Sequence, residues 1–300
     1  MTSPLASTFG VWLVALFLES ILYGMGLLQV YLYFLWYHKD GWGIKGTVIL
    51  ITILETFQTA TFFVLVYNFL IDDFGAFDKL LFIPWQSLAQ LTALYFSIFV
   101  SQTYFAHCIY VLHKRSKILP AIIVLLSTVA LGGAIAQAII SSHLKYWTEL
   151  EKTSASTNIQ AAFALAADVL ITGGLSWTLN DARSGIQSTN KLINFLIMNA
   201  VNRGVLTMVT ALLNMVLFLT KPGTFYFMLI VLISGKLYMN SMLAMLNTRE
   251  HAKSIGTTGA AIDISNISMP SFSTSPEHHL ESGIAVSVTK NTDVGHGHSR

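Results

Sequence analysis

Five side chains of fixed charge type stand inside long apolar stretches: Glu19, Glu55, Asp168, Arg203 and Lys236. A charge at the centre of a bilayer costs about 2.5 to 3.5 kcal/mol on insertion scales, so it normally faces a protein interior and has a partner there. The chemistry open to this set is ionic: pairing, holding a proton, or binding an ion or a polar ligand. Three acids against two bases leave one carboxylate without a fixed-charge partner, and that group either takes a proton or awaits a cation. The residue types admit two uses. One is a structural layer of ion pairs that fixes helix order. The other is a site for a small ligand, an ion or a proton. Lys236 has Asp168, Glu55 and Glu19 as alternative partners.

Positioning these groups requires helices that cross a membrane. The chain of 300 residues is 54% hydrophobic and only 11% charged, against about 25% charged in an ordinary soluble domain. Its mean hydropathy is +0.62. Seven stretches of roughly the 20 or more residues that a bilayer core demands lie at about 9–37, 45–71, 82–112, 118–141, 157–180, 191–219 and 223–247. The expectation is therefore an all-α, polytopic membrane protein with seven transmembrane helices over residues 1–250. Asp168, Arg203 and Lys236 fall within a residue or two of the middle of spans five, six and seven, and Glu55 is close to the middle of span two. Glu19 is about three residues above the middle of span one, about 4.5 Å at helical rise. Polar residues continue around this layer at helical spacing: Asn199, Arg203, Thr207, Thr210 and Asn214 on span six with Asn202 beside them, Gln86, Gln90, Ser97, Ser101, Tyr104 and Cys108 on span three, and Lys236, Asn240 and Asn247 on span seven. Asn199, Asn202, Asn240 and Gln90 are the polar groups expected to support the charges.

Several function classes are excluded. A net charge of +2 is too balanced for a nucleic-acid partner, whose binding face must neutralise many phosphates. The single cysteine, Cys108, forms no internal disulfide. No catalytic triad, HExxH, GxSxG, phosphate loop or nucleotide-binding glycine pattern occurs, so neither an enzyme nor a cofactor is implied. A retinal Schiff base on Lys236 is disfavoured, because span three offers no carboxylate counter-ion and span six no tryptophan.

Orientation follows from the basic residues in the connectors. Lys39, Lys45, Lys114, Arg115, Lys117, Arg183, Lys191, Arg249 and Lys253 fall on one side, and Lys79, Lys145, Lys152 and Lys221 on the other. The expected topology is N-terminus outside and C-terminus cytoplasmic, in the plasma membrane rather than an internal one. Met1 to Thr8 has no Lys or Arg and the apolar run after it is too long for a signal-peptide core, so the first span is expected to be retained. Residues 251–300, rich in Ser, Thr, Gly and His, are expected to form a disordered cytoplasmic tail. Its Ser271, Ser273, Thr274 and Ser275 would be open to kinases, it offers a contact for a cytoplasmic partner, and its sequon at Asn266 would stay unmodified. Trp12, Trp36, Trp42, Trp85, Trp147 and Trp177 mostly stand near span ends, as an interfacial aromatic belt would place them, and belt or packing roles are expected for them. The glycines of Gly132 to Gly133 and Asn202 to Gly204 suit close helix approach.

The stretch GKLYMNSMLAMLNTR, from Gly235 to Arg249, resembles the signature of a family of fungal seven-helix integral membrane proteins whose C-terminal region, here about residues 160–250, is a domain of unknown function of the DUF 6534 type. ADVLIT around Asp168, RSG at Arg183 to Gly185, STNKLI at Ser188 to Ile193 and NRGVLT at Asn202 to Thr207 fit the same resemblance, as do LYG at Leu22 to Gly24, YFLWYHKDGWGIK and Trp85 in the first half. Glu55 with Gln58 stands where relatives often carry aspartate and histidine, and His107 where arginine is common. The resemblance implies the seven-helix architecture and no activity. The expected function is that of a receptor-like or sensor protein with a polar midplane pocket. A secondary transporter or proton-coupled carrier using the ionic layer is the alternative, and a purely structural membrane scaffold the third. The expected partners are the lipid bilayer and a small ligand or ion.

Overall fold

Inside a bilayer no water satisfies backbone N–H and C=O groups, so a long apolar run must bond to itself as helix. The structure, a computed structural model, describes residues 9–76, 79–112, 117–181, 183, 187–220 and 225–257. Seven α-helices fill most of these: α1 Phe9–Trp36, α2 Trp42–Tyr67, α3 Trp85–Leu112, α4 Ile118–Ser142, α5 Ser154–Asp181, α6 Gln187–Thr220 and α7 Tyr226–Thr257. Pro84 stands just before α3 and Pro120 in the first turn of α4, where a missing N–H costs no intrahelical bond. A single π turn at Asn68–Asp72 extends α2 before the chain reverses at Gly75, whose φ of 85° lies in the left-handed region. α7 runs on to Thr257, past the expected start of the tail. The tail sites at Asn266 and Ser271 to Ser275, and the connector residues Lys114, Arg115 and Lys221, lie outside the described residues.

Six of the helices, α1, α2, α4, α5, α6 and α7, are long and apolar enough to cross a membrane, which makes this a multi-pass membrane protein. The exception, α3, is interrupted by Gln86, Ser87, Gln90, Ser97, Ser101 and Gln102, all buried. It packs against α2, α4, α5 and α7, so its polar side chains meet other helices in place of lipid.

α1 and α7 lie side by side and run parallel. Asn240 Nδ2 donates to Leu22 O (3.0 Å) and Asn247 Nδ2 to Gln29 O (2.9 Å), each bond spanning 218 residues, which only parallel helices in fixed register allow. Gln29 Nε2 donates back to Asn240 Oδ1 (2.8 Å), and Tyr37 OH to Asn247 O (3.1 Å). Two asparagines seven residues apart, two turns of helix, thus clamp α7 to α1. α4 and α5 approach closely at Gly133, where a Cβ would stand 3.0 Å from Gln160 N and 3.1 Å from Ser156 O, whereas Gly132 faces open space.

At the end of the bundle holding the start of α1, Trp12 stacks on Phe225 (centroids 4.8 Å apart) and packs against Phe62, Phe69 and Trp147. Trp12 is only 1% exposed, so of the belt and packing roles expected for the tryptophans it takes the packing one. Its ring is large enough to fill the gap between α1, α2 and the residues that precede α5 and α7. Trp36, Trp42, Trp85 and Trp177 are exposed. At the same end the connector before α3 pairs with the one before α5, through Ile83 N to Lys145 O (2.9 Å) and the Phe82–Tyr146 rings.

Candidate functional site: a charge layer divided by α7

The five fixed charges fall into two groups, one on each side of α7. The first gathers Glu19 from α1, Glu55 from α2 and Lys236 from α7, all with no solvent exposure. Lys236 Nζ donates to Glu55 Oε2 (2.6 Å), Gln58 Oε1 (3.1 Å) and Glu55 O (3.2 Å), and lies 3.1 Å from Glu19 Oε1. Ser97 of α3 donates a very short hydrogen bond to Glu55 Oε1, and Thr59 Oγ1 donates to Glu19 Oε1 (3.3 Å). The ammonium also stands 5.5 Å from the centre of the Tyr23 ring. Gly235 leaves room for this arrangement: a Cβ there would meet Leu94 at 2.4 Å and Gln58 Oε1 at 3.3 Å. Among the described residues Glu19 Oε2 and Gln58 Nε2 are buried without a hydrogen-bond partner.

The second group joins Asp168 from α5 to Arg203 from α6. Arg203 Nη2 donates to Asp168 Oδ1 at 2.8 Å, Gln102 Nε2 of α3 donates to the same oxygen at 3.1 Å, and Tyr238 of α7 donates a very short bond to Asp168 Oδ2. The guanidinium stands over two aromatic rings, its Cζ 4.1 Å from the Phe105 centroid and 5.4 Å from that of Tyr238. Its Nε and Nη1 are buried without a partner among the described residues.

Lys236 and Tyr238 are two residues apart, about 200° around a helix and about 3 Å along it. One motif therefore serves both groups: its lysine faces α1 and α2, and its tyrosine faces α5 and α6. The charge balance differs across the divide. Asp168 and Arg203 compensate each other, while Glu19 and Glu55 share one ammonium, so the unpaired carboxylate belongs to the α1–α2 side.

The supporting residues separate in the same way. Asn240 is part of the α1–α7 clamp, one turn beyond Lys236, whose carbonyl its Nδ2 also reaches at 2.7 Å. Gln90 is buried on α3 with an unpartnered Oε1, and Asn199 is half-buried one turn before Arg203. Asn202 is exposed and joins neither group. It is one residue from Arg203, about 100° around α6, which turns it away from α5 and α7. Gln58, Thr59, Gln102 and Tyr238 were not among the expected site residues. Gln102 and Tyr238 stand one and two positions from residues of the expected polar stripes, on faces that looked apolar or unrelated until α5 was placed against them. Among the described residues no cluster of His, Cys, Asp and Glu could hold a metal ion.

Fold and site together describe an all-helical, multi-pass membrane protein with charges sealed in its interior. Residues 164–251, which carry Asp168, Arg203, Lys236 and Tyr238, match a family described as Family of unknown function (DUF6534). Comparisons with curated proteins and with solved structures return no match.

Proposed function

We propose that this chain is a receptor-like plasma-membrane protein with seven crossings, N-terminus outside and C-terminus cytoplasmic, in which the buried charge layer is the responsive element. The observation that carries this reading is the double attachment of α7: its Lys236 holds α1 and α2, its Tyr238 holds the Asp168–Arg203 pair, and the same helix continues to Thr257. A rearrangement on either side of α7 would move one rigid element toward the cytoplasmic end, the two-state coupling that a receptor requires.

The count of seven is supported by the parallel pairing of α1 and α7. Two parallel helices cross in the same direction only when an odd number of crossings lies between them. With α2, α4, α5 and α6 counted, α3 supplies the fifth. The orientation is supported by the nine basic residues against four across the connectors. Labelling of single cysteines introduced at Lys79 and Lys39 from the outside of intact cells tests both: reaction at the first only is expected, and reaction at both or at Lys39 alone overturns the topology. The receptor reading is tested by pull-down of cytoplasmic partners with and without residues 258–300. An unchanged partner set on deletion, together with no effect of charge-layer variants, counts against it.

A second reading, a carrier coupled to an ion or proton, is favoured by the surplus carboxylate of the Glu19–Glu55 pair. In proteoliposomes its flux would depend on Glu19, Glu55 and Lys236, and pH-driven uptake unchanged in Glu55→Gln removes it.

A further inference from the structure

We infer that Glu19 is a proton-binding site, and that the α1–α2–α7 group in its resting form contains one neutral carboxylic acid, one carboxylate and one ammonium. This builds on the reading of the charge layer as the responsive element and names its ligand as a proton. Two carboxyl groups touch the same nitrogen, with Glu55 at 2.6 Å and Glu19 at 3.1 Å, and all three side chains are sealed from solvent. Fully ionised, the group would carry a net negative charge in a region that water does not screen. A metal cation would have to share both carboxylates with the ammonium already bound to them. A proton needs no volume and meets no such competitor.

The hydrogen bonds decide which acid holds it. Glu55 has a donor on each oxygen, Lys236 on Oε2 and Ser97 on Oε1, the surroundings that favour a carboxylate. Among the described residues Glu19 has both of its donors, Lys236 and Thr59, on Oε1, and its Oε2 is buried with none. A bare carboxylate oxygen in an apolar interior is far costlier than the neutral acid. The titratable and charged groups around Glu19 are then Glu55 from α2, Lys236 from α7 and, on α1 itself, Tyr23 against the ammonium. Loss of the proton leaves two carboxylates competing for one ammonium, which loosens α1 or α2 from α7.

The test is infrared spectroscopy of the full-length protein in lipid nanodiscs, stepped between neutral and alkaline pH. The parent is expected to show the carbonyl band of a protonated carboxyl at neutral pH, absent from Glu19→Gln and also from Glu55→Gln, in which Glu19 becomes the counter-ion of Lys236, retained unshifted in Asp168→Asn and Glu55→Asp, and retained but shifted in Glu19→Asp. Its melting midpoint is expected to fall as pH rises, because the folded chain holds one proton more than the unfolded chain, and that dependence should flatten in Glu19→Gln. Absence of the band in the parent, or its survival in Glu19→Gln, overturns the inference. A band that shifts in Glu55→Asp and stays in place in Glu19→Asp moves the proton to Glu55 and overturns the assignment to Glu19. A midpoint that follows sodium concentration and ignores pH assigns the site to a metal cation instead. Should Glu19→Gln not fold, the parent band and its shift in Glu19→Asp decide. The band is read without any cytoplasmic partner, so its absence is distinct from failure of the receptor reading.

Discussion

Replacing Lys236 by methionine removes the ammonium while keeping the length and much of the volume of the side chain. The structure gives that ammonium four oxygen neighbours within 3.2 Å, from Glu55, Gln58 and Glu19, none of them in reach of water. Breaking a buried ion pair by removing one partner costs about 3 to 5 kcal/mol, since the remaining charge stays buried without compensation. With Glu19 neutral, only Glu55 is left uncompensated, and Ser97 still donates to it, so the lower end applies, about 3 kcal/mol. The hydrogen bonds from α7 to Gln58 and to the Glu55 carbonyl add about 0.6 kcal/mol each, the average for contacts between membrane helices. Lys236→Met should therefore lose about 4 kcal/mol. Lys236→Met with Glu55→Gln leaves no net charge in the group and should recover most of this, ending within about 1 to 2 kcal/mol of the parent. Reversible unfolding in mixed micelles, run as a double-mutant cycle over Lys236 and Glu55, reads the coupling directly, and at least about 2 kcal/mol is expected. A single variant as stable as the parent, or a double variant no more stable than Lys236→Met alone, would refute the claim that the ammonium holds α7 to α2 by charge.

Tyr238→Phe removes one donor from Asp168 and should cost about 1 to 2 kcal/mol, whereas Arg203→Lys should cost more than its conserved charge suggests, because the contact of the guanidinium with the Phe105 ring, 4.1 Å to the centroid, is lost; the same unfolding assay checks both. Asn240→Ala breaks hydrogen bonds to Leu22 and Gln29 and should lose about 1 kcal/mol, while Asn202→Ala, exposed on α6, should stay within about 0.5 kcal/mol of the parent. Gly133→Ala sets a methyl against the α5 backbone and should destabilise by about 1 to 3 kcal/mol, with Gly132→Ala neutral or slightly stabilising as the matched control. Equal effects of the two glycine substitutions on the melting midpoint would remove the close α4–α5 approach.

The positions of the seven helices were legible in the chain, because a long run without breakers in an apolar solvent has one way to satisfy its backbone. Composition alone marks six of them as fit to cross a membrane; α3 fails that measure because Gln86, Gln90 and Ser97 were selected for an interior that other helices supply. The presence of charges at matching depth was legible for the same reason, since residue number along a helix converts directly to height. Their pairing was not. Lys236 had three possible acids at similar height, and the choice of Glu55 and Glu19 over Asp168 depends on rotation and neighbour order, which hydrophobic pattern leaves open when lipid and protein interior are both apolar. The same holds for Asn202, a residue away from Arg203 yet turned outward, and for Trp12, whose end-of-span position left belt and packing roles both open until its neighbours drew it inward. Sequence by itself determined how many helices form and how deep each charge lies, because backbone satisfaction and helical rise are local. Only the tertiary structure decided that α7 divides the charges into a balanced pair and a group with one carboxyl too many, because azimuth around a helix acquires meaning only once its neighbours are in place.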